Sequence, residues 1–218
     1  MRGQESDQEP SRPWYGALWH QTWTSLVTVG FGVLAAVLLT PWIQTTLVEP
    51  GCDDPDDLSL VARSEMTATA TGENPPEQGA TYEPALAIDG DSSTAWVEGI
   101  PDGDANKYGE GETLTITLDR SRDVHLVCII NGYTNTQTNY LHNARVRQLT
   151  VATDAGRPTD SVLPDKTLEF FAAYQPVNIT KGRTSTIAIT IGTARAGQDS
   201  TQETDTAISE VEVWAKGD

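Results

Sequence analysis

No Asp, Glu, Lys or Arg occurs between Arg12 and Glu49. Within that gap runs SLVTVGFGVLAAVLLTPWI, Ser25 to Ile43. A helix crosses the hydrocarbon of a bilayer with roughly 20 apolar residues, so this stretch is long enough to span. Trp14, Tyr15, Trp19 and Trp23 crowd one end and Trp42 sits at the other. Aromatic rings favour the two interfaces, where one edge is dry and the other wet. Pro41 falls near the end, where a missing helical hydrogen bond matters least. One transmembrane helix is expected over residues 23–46, after a short, polar, disordered tail over residues 1–22.

The tail carries Arg2 and Arg12, whereas the far side has no Lys or Arg until Arg63. That asymmetry places the N-terminus in the cytoplasm and the rest outside the cell membrane. A cleaved signal peptide is the competing reading. No A-x-A site follows the apolar run, and Pro41-Trp42 is bulky where small residues are needed. Glu49, Pro50 and Gly51 make a poor lipidation context for Cys52.

Residues 47–63 contain EPGCDDPDD and read as an acidic stalk. Residues 64–218 remain for one domain, a common single-domain length. Its pattern is β. GETLTITL alternates, with Leu114, Ile116 and Leu118 on one face and Thr113, Thr115 and Thr117 on the other. Thr186 to Ile191 alternates likewise, and Val124 to Ile130 is apolar on both faces, as in a central strand. Further strands are expected over Glu65–Thr71, Arg145–Thr153, Thr167–Phe171 and Ala207–Trp214. Short strands parted by turn clusters, ENPPEQGAT among them, predict a β-sandwich or barrel.

The charge is lopsided, 14 basic residues against 31 acidic, net −17. Without a basic patch the chain is set apart from nucleic acid and its phosphates. The two cysteines, Cys52 and Cys128, form no C-x-x-C, so a zinc site is unsupported. Outside the cytoplasm they either form one disulfide or remain a buried free thiol and a stray one. Three histidines, His20, His125 and His142, accompany no G-x-S-x-G, H-E-x-x-H or P-loop, and no pair of carboxylates stands out. A non-catalytic protein is expected.

Three segments concentrate polar groups. Asp89-Gly90-Asp91, followed by Ser92, Ser93 and Thr94, gathers oxygens in one turn. Hard cations such as Ca²⁺ take six to eight oxygens, but the spacing is not that of an EF-hand. An acidic turn closed by its own hydrogen bonds is the simpler alternative. In DTAISEVEVW, Glu210 interrupts a strand-like run and either faces solvent or serves the fold. NGYTNTQTNYLHNARV, Asn131 to Val146, is rich in amides and tyrosines. Such groups suit sugar hydroxyls and the apolar face of a sugar ring, although loops are commonly polar in any case.

Taken in order, PALAIDGD, TAW and the closing ISEVEV resemble the discoidin-like domains, which include coagulation-factor type C domains and family 32 carbohydrate-binding modules. More narrowly, TAWVEG, GEGETLTITL, NGY, NYLHNARV and DTAISEVEV are similar to the NADase-type glycan-binding branch, over roughly residues 65 to 216. The resemblance implies a jelly-roll β-sandwich of about eight strands. It implies a structural Ca²⁺ held by the Leu86 carbonyl, Asp89, Asp91, Thr94, the Ser209 carbonyl and Glu210, with Trp96 in the core. It implies a glycan site among the loops at one end, for which Tyr108, Tyr133, Asn135, Asn139, Tyr140, His142, Asn143 and Arg145 are the candidates. Asn143 and Arg145 match the branch's N-x-R, a pair that either contacts ligand or braces the loop. No NADase catalytic part accompanies these motifs. The expected function is a membrane-anchored, extracytoplasmic carbohydrate-binding module for a glycan or cell-wall polymer. The alternative is a module that recruits an extracytoplasmic or membrane protein.

Overall fold

The computed structural model describes residues 51–53, 55, 57–77, 79–99, 108–198 and 205–217. The expected tail, the transmembrane helix and the first residues of the stalk lie outside the described residues. Among the described residues no helix is long and apolar enough to cross a membrane.

Among the described residues nine strands form: β1 (Leu58–Leu60), β2 (Met66–Ala70), β3 (Trp96–Val97), β4 (Thr113–Asn131), β5 (Ala144–Thr153), β6 (Thr159–Val162), β7 (Gln175–Val177), β8 (Gly182–Arg195) and β9 (Thr206–Lys216). One short helix, α1 (Gln137–His142), precedes β5. The two strands expected from GETLTITL and VHLVCII are halves of the single strand β4. Its first half pairs with β2 and β8, and its second half with β9 and β7. The register against β8 shifts between Thr117 and Arg122, at the charged DRSRD stretch. A bulge there bends the strand, so one long element serves both layers of a sandwich.

The alternation read from sequence is the packing observed. Leu114, Ile116 and Leu118 on β4, and Ile187, Ile189 and Ile191 on β8, lie in one apolar core with Val127, Ile129, Val211 and Val213. Trp96 belongs to that core, 0% exposed, and its indole N–H donates to the Gly72 carbonyl at 2.9 Å.

Two stretches differ from expectation. Thr167–Phe171 is a turn, not a strand. Leu168 and Phe170 are 41% and 55% exposed, so β-forming residue types alone, without a neighbouring strand to pair with, make no strand here. The stretch expected as stalk also contains sheet. β1 pairs antiparallel with the end of β9, Leu58 opposite Lys216 and Leu60 opposite Trp214. Cys52 is joined to Cys128 by a disulfide, and both pack with Leu126, Leu58, Tyr174 and Trp214 on the outer side of β4 and β9.

Candidate functional site

The acidic turn closes on itself. Asp89 Oδ1 accepts from the Asp91 N–H at 2.8 Å, and Asp89 Oδ2 accepts from the Thr94 hydroxyl at 2.8 Å. Asp91 Oδ1 accepts from both the backbone and the hydroxyl of Ser93, which holds its carboxyl below the usual range. Gly90, at φ 88°, supplies the left-handed residue that lets the turn fold. Its N–H donates to Glu210 Oε2 at 2.7 Å. Glu210 is 1% exposed, so the reading in which it faces solvent is overturned. Burial pushes its carboxyl up to about 7, opposed by the Gly90 N–H and the Arg63 guanidinium and reinforced by Asp89 and Glu212. Glu210 Oε1 is buried with no hydrogen-bond partner.

That orphaned oxygen is what a cation would satisfy, so the residues fit a cation in this respect. Among the described residues no three His, Cys, Asp or Glu side chains are grouped to hold a metal ion. A cage here must therefore draw on carbonyl and hydroxyl oxygens beside the carboxylates, as Ca²⁺ accepts.

The turn is stitched to the next loop. The Thr134 hydroxyl donates to the Ser92 carbonyl at 2.6 Å, and the Thr134 N–H donates to the Ser209 hydroxyl at 3.0 Å. Tyr133, between Gly132 and Thr134, is thereby set in place. Its ring meets Tyr82 edge to face, centroids 6.3 Å apart and planes at 85°. Both rings rest on Ala95, Val97 and Ala207. Beside them opens a pocket of 320 Å³, in the lower range of ligand sites, about 300–1,000 Å³. Its wall includes the amides of Asn74, Asn139 and Asn143 and the carboxylates of Glu77 and Asp205. Asn74 Nδ2 donates to Asp205 Oδ2 at 2.7 Å. Asn139 and Asn143 stand four residues apart, so the α1 turn presents them on one side.

Residues 61–214 match the model of the NAD glycohydrolase translocation F5/8 type C domain. The chain belongs to this family. Solved structures of similar fold include the family 32 CBM from C. perfringens NanJ in complex with galactose. It is 21% identical, covers 72% of this chain and 98% of its own, and superposes with a TM-score of 0.52. CBM32-3 from a family 31 glycoside hydrolase of Clostridium perfringens is 19% identical, covering 72% and 95%, with a TM-score of 0.51. These likenesses establish the discoidin-like sandwich. Among curated proteins nothing matches.

In this F5/8 type C member the expected ligand residues take four different places. Tyr133, Asn139 and Asn143 line the pocket. Asn135 stands behind them, its side-chain Oδ1 accepting from Asn139 Nδ2 at 2.8 Å, and His142 closes α1. Tyr140 and Arg145 turn inward, 3% and 5% exposed, and do not line the pocket. Arg145 spends its donors on the fold: Nε to Asp165 Oδ1 at 2.8 Å, and Nη1 to the carbonyls of Tyr140 at 2.7 Å and Asn143 at 3.1 Å. Its guanidinium also lies 4.8 Å from the Tyr140 ring centre. Of the two roles open to the N-x-R pair, Arg145 takes the brace. Tyr108 is held at φ 23° with its carbonyl accepting from the Thr206 hydroxyl at 2.7 Å, and is not among the residues lining the pocket.

Asn74, Glu77, Tyr82 and Asp205 were not among the sequence candidates. The signal for three of them was weak but present. ENPPEQGATY is a turn-rich run ending in a tyrosine, and a lone aromatic in a polar loop invites a packing partner. Nothing local marks Asp205.

Proposed function

We propose that this protein is a non-catalytic glycan-binding module, anchored in the cell membrane by one helix and held outside the cytoplasm. The observation that carries the reading is the crossed pair Tyr82 and Tyr133 beside a rim of three amides. An aromatic ring covers the apolar face of a sugar, and amides pair with its hydroxyls in either sense. Galactose in the NanJ module makes that sugar the first to try. Other ligands of the same chemistry are a wall polymer, an extracellular polysaccharide or a host glycan.

The proposal includes a structural Ca²⁺ held by Glu210, Asp89, Asp91 and Thr94 with the carbonyls of Leu86 and Ser209. Its support is the partnerless Glu210 Oε1. Such an ion ties the acidic turn to β9 and, through Ser92 and Thr134, steadies Tyr133.

Full-length protein in nanodiscs, applied to an array of wall and host glycans, tests the reading. Saturable binding to at least one class is expected. Tyr82→Ala should weaken it by about tenfold or more, the loss of one stacked ring, while the domain still unfolds cooperatively. An array blank throughout sinks the proposal. Recruitment of a protein partner is the second reading, favoured by the exposed Leu168 and Phe170. Exposed apolar side chains of that size are common at protein contacts.

A further inference from the structure

The three amides on the pocket wall are held in one sense by their own protein contacts. Asn74 Nδ2 donates to Asp205 Oδ2 at 2.7 Å, and Asn143 Nδ2 donates to the Asn139 backbone carbonyl at 3.0 Å. A carboxylate and a carbonyl only accept, so the group turned to each must be the NH2. Asn139 Nδ2 in turn donates to Asn135 Oδ1 at 2.8 Å. Among the described residues nothing donates to Oδ1 of Asn74, Asn139 or Asn143. With one N–H spent, each amide keeps one donor against the two acceptor positions of its oxygen. The rim is therefore richer in acceptors than in donors. Tyr133, on the same wall, has a hydroxyl without a hydrogen-bond partner among the described residues, ready to donate or accept.

We infer that this rim reads hydroxyl hydrogens: its ligand is a sugar whose free hydroxyls donate to the oxygens of Asn74, Asn139 and Asn143. Asn135 is the positioning residue that holds the Asn139 amide in the accepting sense. The inference rests on the glycan-binding reading of the same pocket. A sugar hydroxyl carries one hydrogen and two lone pairs, so it donates to an amide oxygen and still accepts from Tyr133 or a remaining amide N–H. An O-methyl, O-acetyl or O-sulfate group at the same position offers acceptors only. It sets oxygen against oxygen and leaves the amide acceptor unpaired, which costs more than the lost bond alone. A glycan decorated at the recognised hydroxyls is thus refused, and the bare glycan enters.

Calorimetry on the full-length protein in a sugar-free detergent tests this. The probes are galactose, glucose and mannose, each with its deoxy, deoxyfluoro and O-methyl analogues at every ring hydroxyl. Fluorine keeps the polarity of an acceptor and cannot donate. At one or more positions the deoxy and deoxyfluoro analogues should bind equally weakly, about fivefold or more below the parent, the worth of one donated hydrogen bond. Asn135→Ala frees the Asn139 amide to turn, so it should weaken the parent and narrow its lead over the fluoro analogue. Asn135→Asp keeps the acceptor and should restore that lead. Parent and analogue weakened alike by Asn135→Ala would deny Asn135 its positioning role. Deoxyfluoro sugars that match their parents at every position overturn the inference and leave the glycan reading standing. Failure of every sugar overturns both.

Discussion

Glu210 is a carboxylate taken out of water beneath a glycine turn, and an unpaired buried charge is costly. Its group is held up at about 7 in the fold against 4.5 when unperturbed. The folded chain then binds a proton more tightly than the unfolded chain does. Stability from this group is complete below about pH 4.5 and declines as pH rises through 7. In chelator, the free energy of unfolding should fall by up to about 3 kcal/mol between pH 4.5 and pH 8, and Glu210→Gln should flatten the slope. Calcium should remove the decline, because a cation favours the ionised form. Denaturant unfolding at a series of pH values reads all three. Equal stability at pH 8 with chelator and with calcium would leave the cation no role. Arg145 illustrates the opposite use of charge. Its contact holds Asp165 below the usual carboxylate range, and its remaining donors fix the carbonyls at the end of α1. It shapes the wall that carries Asn139 and Asn143 without itself lining the pocket.

The elements show where local pattern suffices. β8 and both halves of β4 were legible because alternate residues on a strand must take opposite faces and one face here is buried. That the halves of β4 are continuous was not legible, since DRSRD reads as a break. Its charged residues lie at the edge of the layers, where a bulge tolerates them. β1 was hidden inside the acidic stretch because three residues carry too little pattern. Its place comes from pairing with β9 and from the disulfide, which closes a loop with 76 residues of sequence separation. Closing a loop of that length removes unfolded-state freedom worth about 4 kcal/mol. The double variant Cys52→Ser with Cys128→Ala should lose stability of that order, and reductant should lower the melting temperature of the native protein. A variant with an unchanged unfolding midpoint would show that β1 is held by its hydrogen bonds alone.

An apolar run ahead of a β-domain makes a cellular expectation as well as a structural one. We expect the intact protein to stay with membranes after an alkaline wash, and a chain lacking residues 13–48 to be released. External protease should reach the domain while the N-terminus stays protected. Release of the intact protein by the wash would rule out the anchor. The net charge of −17 first suggests nothing more than solubility. The fold gives it distinct places: Glu98 and Glu210 are buried, Asp165 lies against Arg145, and Glu77 and Asp205 line the pocket.

Periodicity, composition and ordered motifs were enough for an all-β domain, its central strands, its tryptophan core and the turn at Asp89. These are properties of neighbours in the chain, and burial of one strand face imposes them residue by residue. The pocket belongs to the tertiary structure. Asn74 and Tyr82 come from the connection between β2 and β3, Tyr133 and Asn143 from that between β4 and β5, and Asp205 from the residue before β9; they meet only because β3, β4, β5 and β9 bring those connections to the same end of the sandwich. The same holds for Arg145, which sequence allows either to face ligand or to brace. Its donors turn inward because Asp165 and two carbonyls are there to receive them. Strand register sets those meetings, and register depends on long-range pairing that no local stretch of residues contains.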